Sequence, residues 1–114
     1  MNTLDRRFYE NLGKSFSTYK KNIIVESKSI DEVISLSGIK KNIDFINIDV
    51  EGFDYKILTQ VNIQKLKPNL ISIETHNVDG SENEQYQDIR DYLIKNHFNI
   101  LKRVGPTTLF DRKN

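Results

Sequence analysis

Two short apolar runs that each end in acidic residues constrain the fold of this chain more than any other feature of the sequence. The first, DFINIDVEG, occupies positions 44–52, and the second, NLISIETH, occupies positions 69–76. Apolar spacing between them predicts a helix from about Phe53, followed by a further turn that ends at Pro68. A strand, a helix and a strand in this order favour a right-handed crossover, which places the two strands side by side and parallel.

The segment before the first run predicts a short strand and a helix. Residues 22–27, NIIVES, are rich in β-branched side chains, which indicates an edge or connecting strand. Ser29 and Glu32 have the spacing of a capping box, in which each side chain binds the backbone amide of the other residue. Gly38 is a natural stop, so we expect a two-turn helix between Ser29 and Gly38.

The segment after the second run predicts a longer helix and a hairpin. Ser81 and Glu84 have the spacing of a second capping box, and we expect them to begin a helix of about four turns. The buried side of this helix carries Tyr86, Ile89 and Leu93. Two strands, 98–104 and 107–110, flank a Gly-Pro turn and predict an antiparallel hairpin at the edge of an otherwise parallel sheet. The whole order of elements is that of an α/β protein.

Length, charge and composition exclude several classes of protein. The chain has 114 residues, the length of one small domain. Its 17 basic and 16 acidic side chains are interleaved, so no face is built to hold a nucleic acid. The absence of cysteine excludes disulfides and thiolate chemistry. No apolar run approaches the length of a membrane span, and the first residues lack the apolar core of a secretory signal, so we expect a soluble, cytoplasmic protein.

The predicted sheet is small and one-sided. Parallel strands prefer helices on both faces of the sheet and neighbouring strands on both edges. Two parallel strands and a hairpin do not provide these neighbours, so we expect that part of the fold precedes residue 1. An exposed strand edge favours a homo-oligomer or a partner that supplies the missing strands.

Polar residues alternate with apolar ones along both runs. Because successive side chains of a strand point to opposite faces, the acidic residues of each run lie on one face. Parallel neighbours are roughly 5 Å apart, so the acids at their carboxyl ends converge where open α/β sheets bind ligands. The polar rows are Asn47, Asp49 and Glu51 in the first run and Ser72, Glu74 and His76 in the second. The candidate site consists of Asp49, Glu51, Glu74 and His76.

The candidate residues also have structural explanations. A carboxylate at Asp49 or Glu51 would equally cap the following helix, and Gly52 would then only permit the turn. Glu74 needs a partner unless its strand is already emerging into water. His76 suits either a structural hydrogen-bonding role or a functional one.

The sequence IDFINIDVEGFDYKIL, followed by KPNLISIETH, resembles the FkbM-type family of S-adenosylmethionine-dependent methyltransferases. In that family a strand that ends in Asp-Val-Glu-Gly precedes a helix, and a strand that ends in Glu follows. SIDEVI and TTLF are similar to the family's helix start and closing strand, so the resemblance covers most of the chain from about Ser29 to Phe110. The leading MNTLDRRFYENL also resembles an internal segment of related proteins. The resemblance implies a Rossmann-like methyltransferase fold, in which parallel strands are followed by an antiparallel hairpin.

One part of the family pattern is missing from this sequence. By resemblance, the first half of the fold binds the methyl donor through a glycine-rich turn. The five glycines of this chain stand singly, at positions 13, 38, 52, 80 and 105. We therefore expect residues 1–114 to form a single partial domain, the C-terminal half of a methyltransferase fold, without the N-terminal donor-binding half.

The resemblance implies methyl transfer from S-adenosylmethionine to a hydroxyl group of a sugar or another small metabolite. In an in-line displacement the protein mainly aligns the reactants and accepts the proton of the acceptor. We assign this general-base role to Asp49, with His76 as the second candidate. Glu51 and Glu74 would position the acceptor hydroxyls. Alternatively, the site would hold a Mg or Mn ion through Asp49, Glu74 and His76.

Three functions from different classes stay open at this stage. The first is a catalytic module of a methyltransferase. The second is a truncated, non-catalytic remnant that does not bind the donor. The third is a binding module that holds a divalent cation or a sugar at its acidic strand ends.

Overall fold

The two acidic runs form neighbouring parallel strands. The structure, a computed structural model, describes residues 22–39 and 42–113. Strand β1 (Phe45–Ile48) pairs in parallel with β2 (Leu70–Glu74), with Ile48 opposite Ile73. The predicted pairing is confirmed, and it brings the carboxyl ends of both strands to the same edge of the sheet.

The Gly-Pro turn joins two antiparallel strands, as predicted. Strands β3 (Phe98–Val104) and β4 (Thr107–Arg112) form the hairpin, and β4 also pairs antiparallel with β2. Within the described residues the sheet has four strands in the order β1-β2-β4-β3, with one parallel pair. The α/β class is therefore confirmed, while the Rossmann-like topology of a complete domain stays a prediction.

Helices precede, connect and follow the two parallel strands. Their bounds are α1 (Ile30–Ser37), α2 (Asp54–Gln60), α3 (Ile63–Leu66) and α4 (Tyr86–Lys95). At the start of α1 the hydroxyl of Ser29 accepts a hydrogen bond from the backbone amide of Glu32, at 3.1 Å. At its end Gly38 adopts a φ of 75°, which favours glycine. The predicted start and stop of this helix are confirmed.

The hydrophobic core lies where α2, α3 and α4 pack on the sheet. Burial of one such aliphatic or aromatic side chain contributes about 1.5–3 kcal/mol, so this cluster holds the helices in position. Its buried members are Ile48, Leu58, Val61, Ile63, Leu66, Ile71, Ile73, Ile89, Leu93, Phe98 and Phe110. Because α2 follows β1 directly and α4 packs against α2, the core also fixes the loops at the carboxyl ends of β1 and β2.

Two expectations about local structure are wrong. Residues 22–27 form neither a helix nor a strand in the described structure, and the side chain of Ile24 is 99% exposed. Ser81 and Glu84 do not begin the next helix, which starts at Tyr86 and has 10 residues, fewer than four turns. The hydroxyl of Ser81 instead donates a hydrogen bond to the carboxylate of Asp79, at 2.5 Å, in a turn before the helix.

Some expectations lie beyond what the described residues test. The segment MNTLDRRFYENL lies outside them, as does Gly13. Strands β1 and β3 occupy the two edges of the described sheet, and self-association at such an edge stays a prediction. Among the residues with described positions, no helix is both long enough and apolar enough to cross a membrane.

Candidate functional site

The Asp-Val-Glu-Gly sequence forms the turn between β1 and α2. Strand β1 ends at Ile48, and the backbone amide of Phe53 donates a hydrogen bond to the carbonyl of Val50, at 3.3 Å. Glu51 has a φ of 45° and Gly52 has a φ of 89°. A φ near 90° lies outside the left-handed helical region that residues such as Glu51 can still adopt, so this turn favours glycine at position 52. The alternation of faces along β1 therefore does not extend to Glu51.

Asp54, the first residue of α2, is a buried acid outside the polar rows of the two strands. It is only 3% exposed, and its Oδ1 atom accepts a hydrogen bond from the backbone amide of Val50, at 3.2 Å. Its Oδ2 atom is buried and has no hydrogen-bond partner among the described residues. An acid in the first turn of a helix suits the helix dipole, and this preference is the signal in the sequence that could have identified it.

Four carboxylates influence one another through their charges: Asp49 and Glu51 in the turn after β1, Asp54 at the start of α2 and Glu74 at the end of β2. Burial raises the pKa of Asp54, the backbone amides of Val50 and Glu74 act against this effect, and the charges of Asp49 and Glu51 raise the pKa further. Burial also raises the pKa of Glu74, as do the neighbouring charges of Asp54, Glu51 and Asp49. Asp49, Glu51 and Glu74 therefore influence one another electrostatically, and Asp54 joins them, while their assignment to one functional site stays a prediction.

A cavity of about 290 Å³ opens beside these carboxylates. Its walls come from the turn after β1, the end of β2 and the loop before α4. The residues that line it are Gly52, Asp54, Glu74, Asn77, Asn83, Glu84 and Gln85. Of the four predicted site residues, Glu74 lines the cavity. Asp49, Glu51 and His76 are outside the lining, and the charges of Asp49 and Glu51 raise the pKa of Glu74.

Two amide side chains connect the cavity walls. The side-chain amide nitrogen of Gln85 donates a hydrogen bond to the carbonyl of Gly52, and its carbonyl oxygen accepts one from the backbone amide of Tyr55. The amide nitrogen of Asn83 donates to the carbonyl of Glu74, at 3.3 Å, while its carbonyl oxygen accepts from the backbone amide of Gln85, at 3.0 Å. These bonds fix the loop before α4 to both strand ends. Sequence reasoning missed Gln85 because its partners, Gly52 and Tyr55, are 33 and 30 residues away along the chain.

His76 occupies a structural position next to the cavity. Its Nδ1 atom forms a hydrogen bond with the hydroxyl of Thr75, at 2.7 Å, and its ring lies 5.3 Å from the ring of Tyr86, measured between centroids. The hydroxyl of Thr75 is also paired with that of Thr108, at 2.6 Å. These contacts fix the position of the ring, and the choice between the two roles considered for His76 stays a prediction.

The geometry does not fit the predicted metal site. Within residues 22–39 and 42–113, no group of three or more His, Asp or Glu side chains is arranged to hold a metal ion. The predicted Mg or Mn site at Asp49, Glu74 and His76 is therefore not supported by the arrangement of these side chains.

A parallel strand-helix-strand unit, acids at the carboxyl ends of both strands and an antiparallel hairpin define an α/β domain with a site at the strand ends. A family model described as "Methyltransferase FkbM domain" matches residues 3–100. The chain therefore belongs to the FkbM methyltransferase family, as the resemblance predicted. No curated protein and no solved structure gives a significant match to this chain.

Proposed function

We propose that this chain binds the acceptor in a methyl transfer from S-adenosylmethionine to a hydroxyl group of a sugar or another small metabolite. The observation that carries the proposal is the acidic cavity at the carboxyl ends of β1 and β2, in a member of a methyltransferase family. Carboxylates in such a position can orient a hydroxyl group and take its proton.

The glycine-rich turn that the family uses for the donor has no counterpart in the sequence pattern, because the described glycines, at positions 38, 52, 80 and 105, each stand singly. S-Adenosylmethionine would supply the methyl group on a sulfonium centre, and the residues described here would act on the acceptor.

The carboxylates divide naturally into two roles. Glu74 lines the cavity, so it would accept a hydrogen bond from the acceptor and orient it. Asp49 is exposed just after β1, in the same turn as the cavity residue Gly52, so we assign it the role of taking the proton of the hydroxyl group. Glu51, in the turn, would help to position the acceptor, and His76 is the second candidate for the base.

Labelled methyl transfer tests this assignment. With S-adenosylmethionine and a panel of sugars, Asp49→Asn is expected to lower kcat by about 10²–10⁴-fold, the usual contribution of a general base. Glu74→Gln is expected to raise KM more than it lowers kcat. Glu26→Gln is the matched control, because Glu26 is an exposed residue whose carboxylate pairs with Lys28, at 3.0 Å. Unchanged turnover in Asp49→Asn would remove Asp49 from the mechanism.

A sugar-binding module without catalysis is the second candidate function. It is favoured by the mixture of carboxylate and amide side chains in the cavity, which suits the hydroxyl groups of a sugar. Calorimetry separates the two candidates. A sugar that binds while S-adenosylmethionine produces no heat and no methyl transfer occurs would support the binding module and the non-catalytic remnant over the enzyme.

A further inference from the structure

A chain of two hydrogen bonds runs from the interior of the sheet to the ring of His76. The hydroxyl oxygens of Thr108 and Thr75 are 2.6 Å apart, and the hydroxyl oxygen of Thr75 is 2.7 Å from the Nδ1 atom of His76. Thr75 is fully buried and Thr108 is only 2% exposed, whereas His76 is half-buried, just beyond the end of β2. The chain therefore connects two buried hydroxyl groups to a side chain that reaches the surface.

The hydrogen atoms of the two hydroxyl groups fix the direction of this chain. Each hydroxyl group has one hydrogen atom to donate, and the hydroxyl of Thr108 has a single hydrogen-bond partner among the described residues, the hydroxyl of Thr75. When Thr108 donates to Thr75, the hydrogen atom of Thr75 is donated in turn to Nδ1 of His76. In the reverse direction the hydrogen atom of Thr108 would be buried without an acceptor, an arrangement that proteins avoid.

An Nδ1 atom that accepts a hydrogen bond carries no proton. In a neutral imidazole ring one nitrogen is a donor and the other is an acceptor, so the proton of His76 lies on Nε2. The other tautomer would require the reverse direction and an unsatisfied buried hydroxyl group. This cost disfavours it by about 5- to 150-fold, the equivalent of about 1–3 kcal/mol.

We propose that the hydroxyl groups of Thr75 and Thr108 hold neutral His76 with its proton on Nε2, so that His76 acts as a hydrogen-bond donor and not as a base. The nitrogen that could accept a proton is already occupied by Thr75, which is a positioning residue that acts through His76. The tautomer itself does not depend on methyl transfer. Its consequence for the reaction rests on the proposed function: of the two candidate bases, Asp49 takes the proton of the acceptor.

NMR spectroscopy of the ¹⁵N-labelled protein measures the tautomer directly, because a nitrogen that bears a proton and one that accepts a hydrogen bond differ widely in chemical shift. The spectrum is recorded at a pH where titration of the ring signals shows that His76 is neutral. We expect the two nitrogen shifts of His76 to be as far apart as in a single tautomer, with the proton on Nε2. A proton on Nδ1 would overturn the inference.

The other histidine of the chain provides an internal control in the same spectrum. His97 is exposed, and its ring has no hydrogen bond among the described residues. Its proton is therefore shared between the two nitrogens, and their shifts should lie closer together than those of His76. Shifts of His76 that are as close together as those of His97 would also overturn the inference.

Variants of the two threonines identify the group that sets the tautomer. Thr75→Val removes the donor to Nδ1, so the two nitrogen shifts of His76 should move toward each other, whereas Thr75→Ser keeps a hydroxyl group and should keep the wild-type shifts. Thr108→Val removes the one competing acceptor of Thr75 and should also keep the wild-type tautomer. Wild-type shifts in Thr75→Val would show that the hydroxyl chain does not set the tautomer.

Turnover tests the consequence for methyl transfer separately. His76→Gln keeps a side-chain N–H donor without a basic nitrogen, and His76→Phe keeps neither. We expect His76→Gln to retain about two- to tenfold more kcat/KM than His76→Phe, the usual worth of one hydrogen bond. An equal loss of about 10²–10⁴-fold in both variants would identify His76 as the base and overturn the inference. If the wild type transfers no methyl group while NMR places the proton on Nε2, the proposed function fails and the assignment of the tautomer is supported.

Discussion

The side-chain carbonyl of Gln85 accepts a hydrogen bond from the backbone amide of Tyr55, with 2.8 Å between nitrogen and oxygen. Tyr55 lies in the first turn of α2, where backbone amides lack partners within the helix. Phe53, at the N-cap position, makes no side-chain cap in the described structure. Gln85 therefore supplies from another part of the chain the cap that α2 lacks, and through Gly52 it also fixes the turn beside the cavity.

Replacement of this distant cap should destabilise the protein. Gln85→Ala removes the hydrogen bonds to Tyr55 and Gly52, and we expect the free energy of unfolding to fall by about 1–2 kcal/mol, as for the loss of a helix cap. Urea unfolding followed by circular dichroism measures this loss. Gln87→Ala is the control, since Gln87 is exposed and bonds only to Asp91 on its own helix among the described residues, a pair worth about 0.2–0.5 kcal/mol. Equal losses in the two variants would contradict the capping role.

The central strands should depend strongly on Phe110. The side chain of Phe110, in β4, is fully buried, and Phe110 lies opposite Ile71 of β2 in the sheet. Phe110→Ala is expected to lower the free energy of unfolding by about 3–5 kcal/mol, because it leaves a cavity in the core. Phe45→Ala, at a side chain that is 51% exposed on the edge strand β1, should cost less than about 1 kcal/mol. A small effect at Phe110 in denaturant unfolding would show that the core is not packed as described.

The elements that sequence predicts correctly are those with local signals. The two acidic runs are rich in β-branched residues and bounded by turns, and the hairpin has its own Gly-Pro turn. The strands and their pairing therefore follow from short stretches of sequence. Residues 22–27 have the same composition, yet a strand also needs a neighbour for its backbone hydrogen bonds, which composition does not reveal. At the start of α4 the capping signal of Ser81 fails because Asp79 binds this hydroxyl group locally.

Part of the site, like part of the fold, is predictable from the sequence. The crossover rule brings the ends of β1 and β2 to one edge of the sheet, where the charges of Asp49 and Glu51 act on Glu74, whereas alternation fails at Glu51 because the chain turns after Ile48. Gln85 is missed because its importance depends on a contact with the start of α2, 30 residues away, and Asp54 is missed because its burial depends on how the turn after β1 folds. Only the folded structure reveals that contact.

The buried pair of hydroxyl groups at Thr75 and Thr108 should show strong coupling. Thr75→Val leaves the buried hydroxyl of Thr108 without its partner, which is expected to lower the free energy of unfolding by about 1–3 kcal/mol. The double variant Thr75→Val, Thr108→Val removes both polar groups, so it should be more stable than Thr75→Val alone.

Thermal and urea unfolding of the single and double variants complete this double-mutant cycle. Thr59→Val serves as the control, because the hydroxyl of Thr59 is exposed and bonds to the carbonyl of Lys56, and its loss should change stability by less than about 0.5 kcal/mol. If the loss of stability in the double variant equals the sum of the losses in the two single variants, Thr75 and Thr108 are not coupled.

The carboxylate cluster should make stability depend on pH in a specific direction. The folded protein raises the pKa of Asp54 above 3.8 and that of Glu74 above 4.5. As the pH falls through these raised values, the folded state takes up protons that the unfolded chain does not yet bind, so these two groups stabilise the protein progressively. As the pH rises above the raised pKa values, this contribution is lost.

The double variant Asp54→Asn, Glu74→Gln removes both titrations and is the direct comparison. The free energy of unfolding of the double variant minus that of the wild type is expected to be larger at about pH 7 than at about pH 4.5. Asp79, whose pKa is lowered by hydrogen bonds from Ser81, titrates in both proteins and cancels from the difference. Urea unfolding across this pH range gives the difference, and a value independent of pH would mean that Asp54 and Glu74 do not share the electrostatic environment described here.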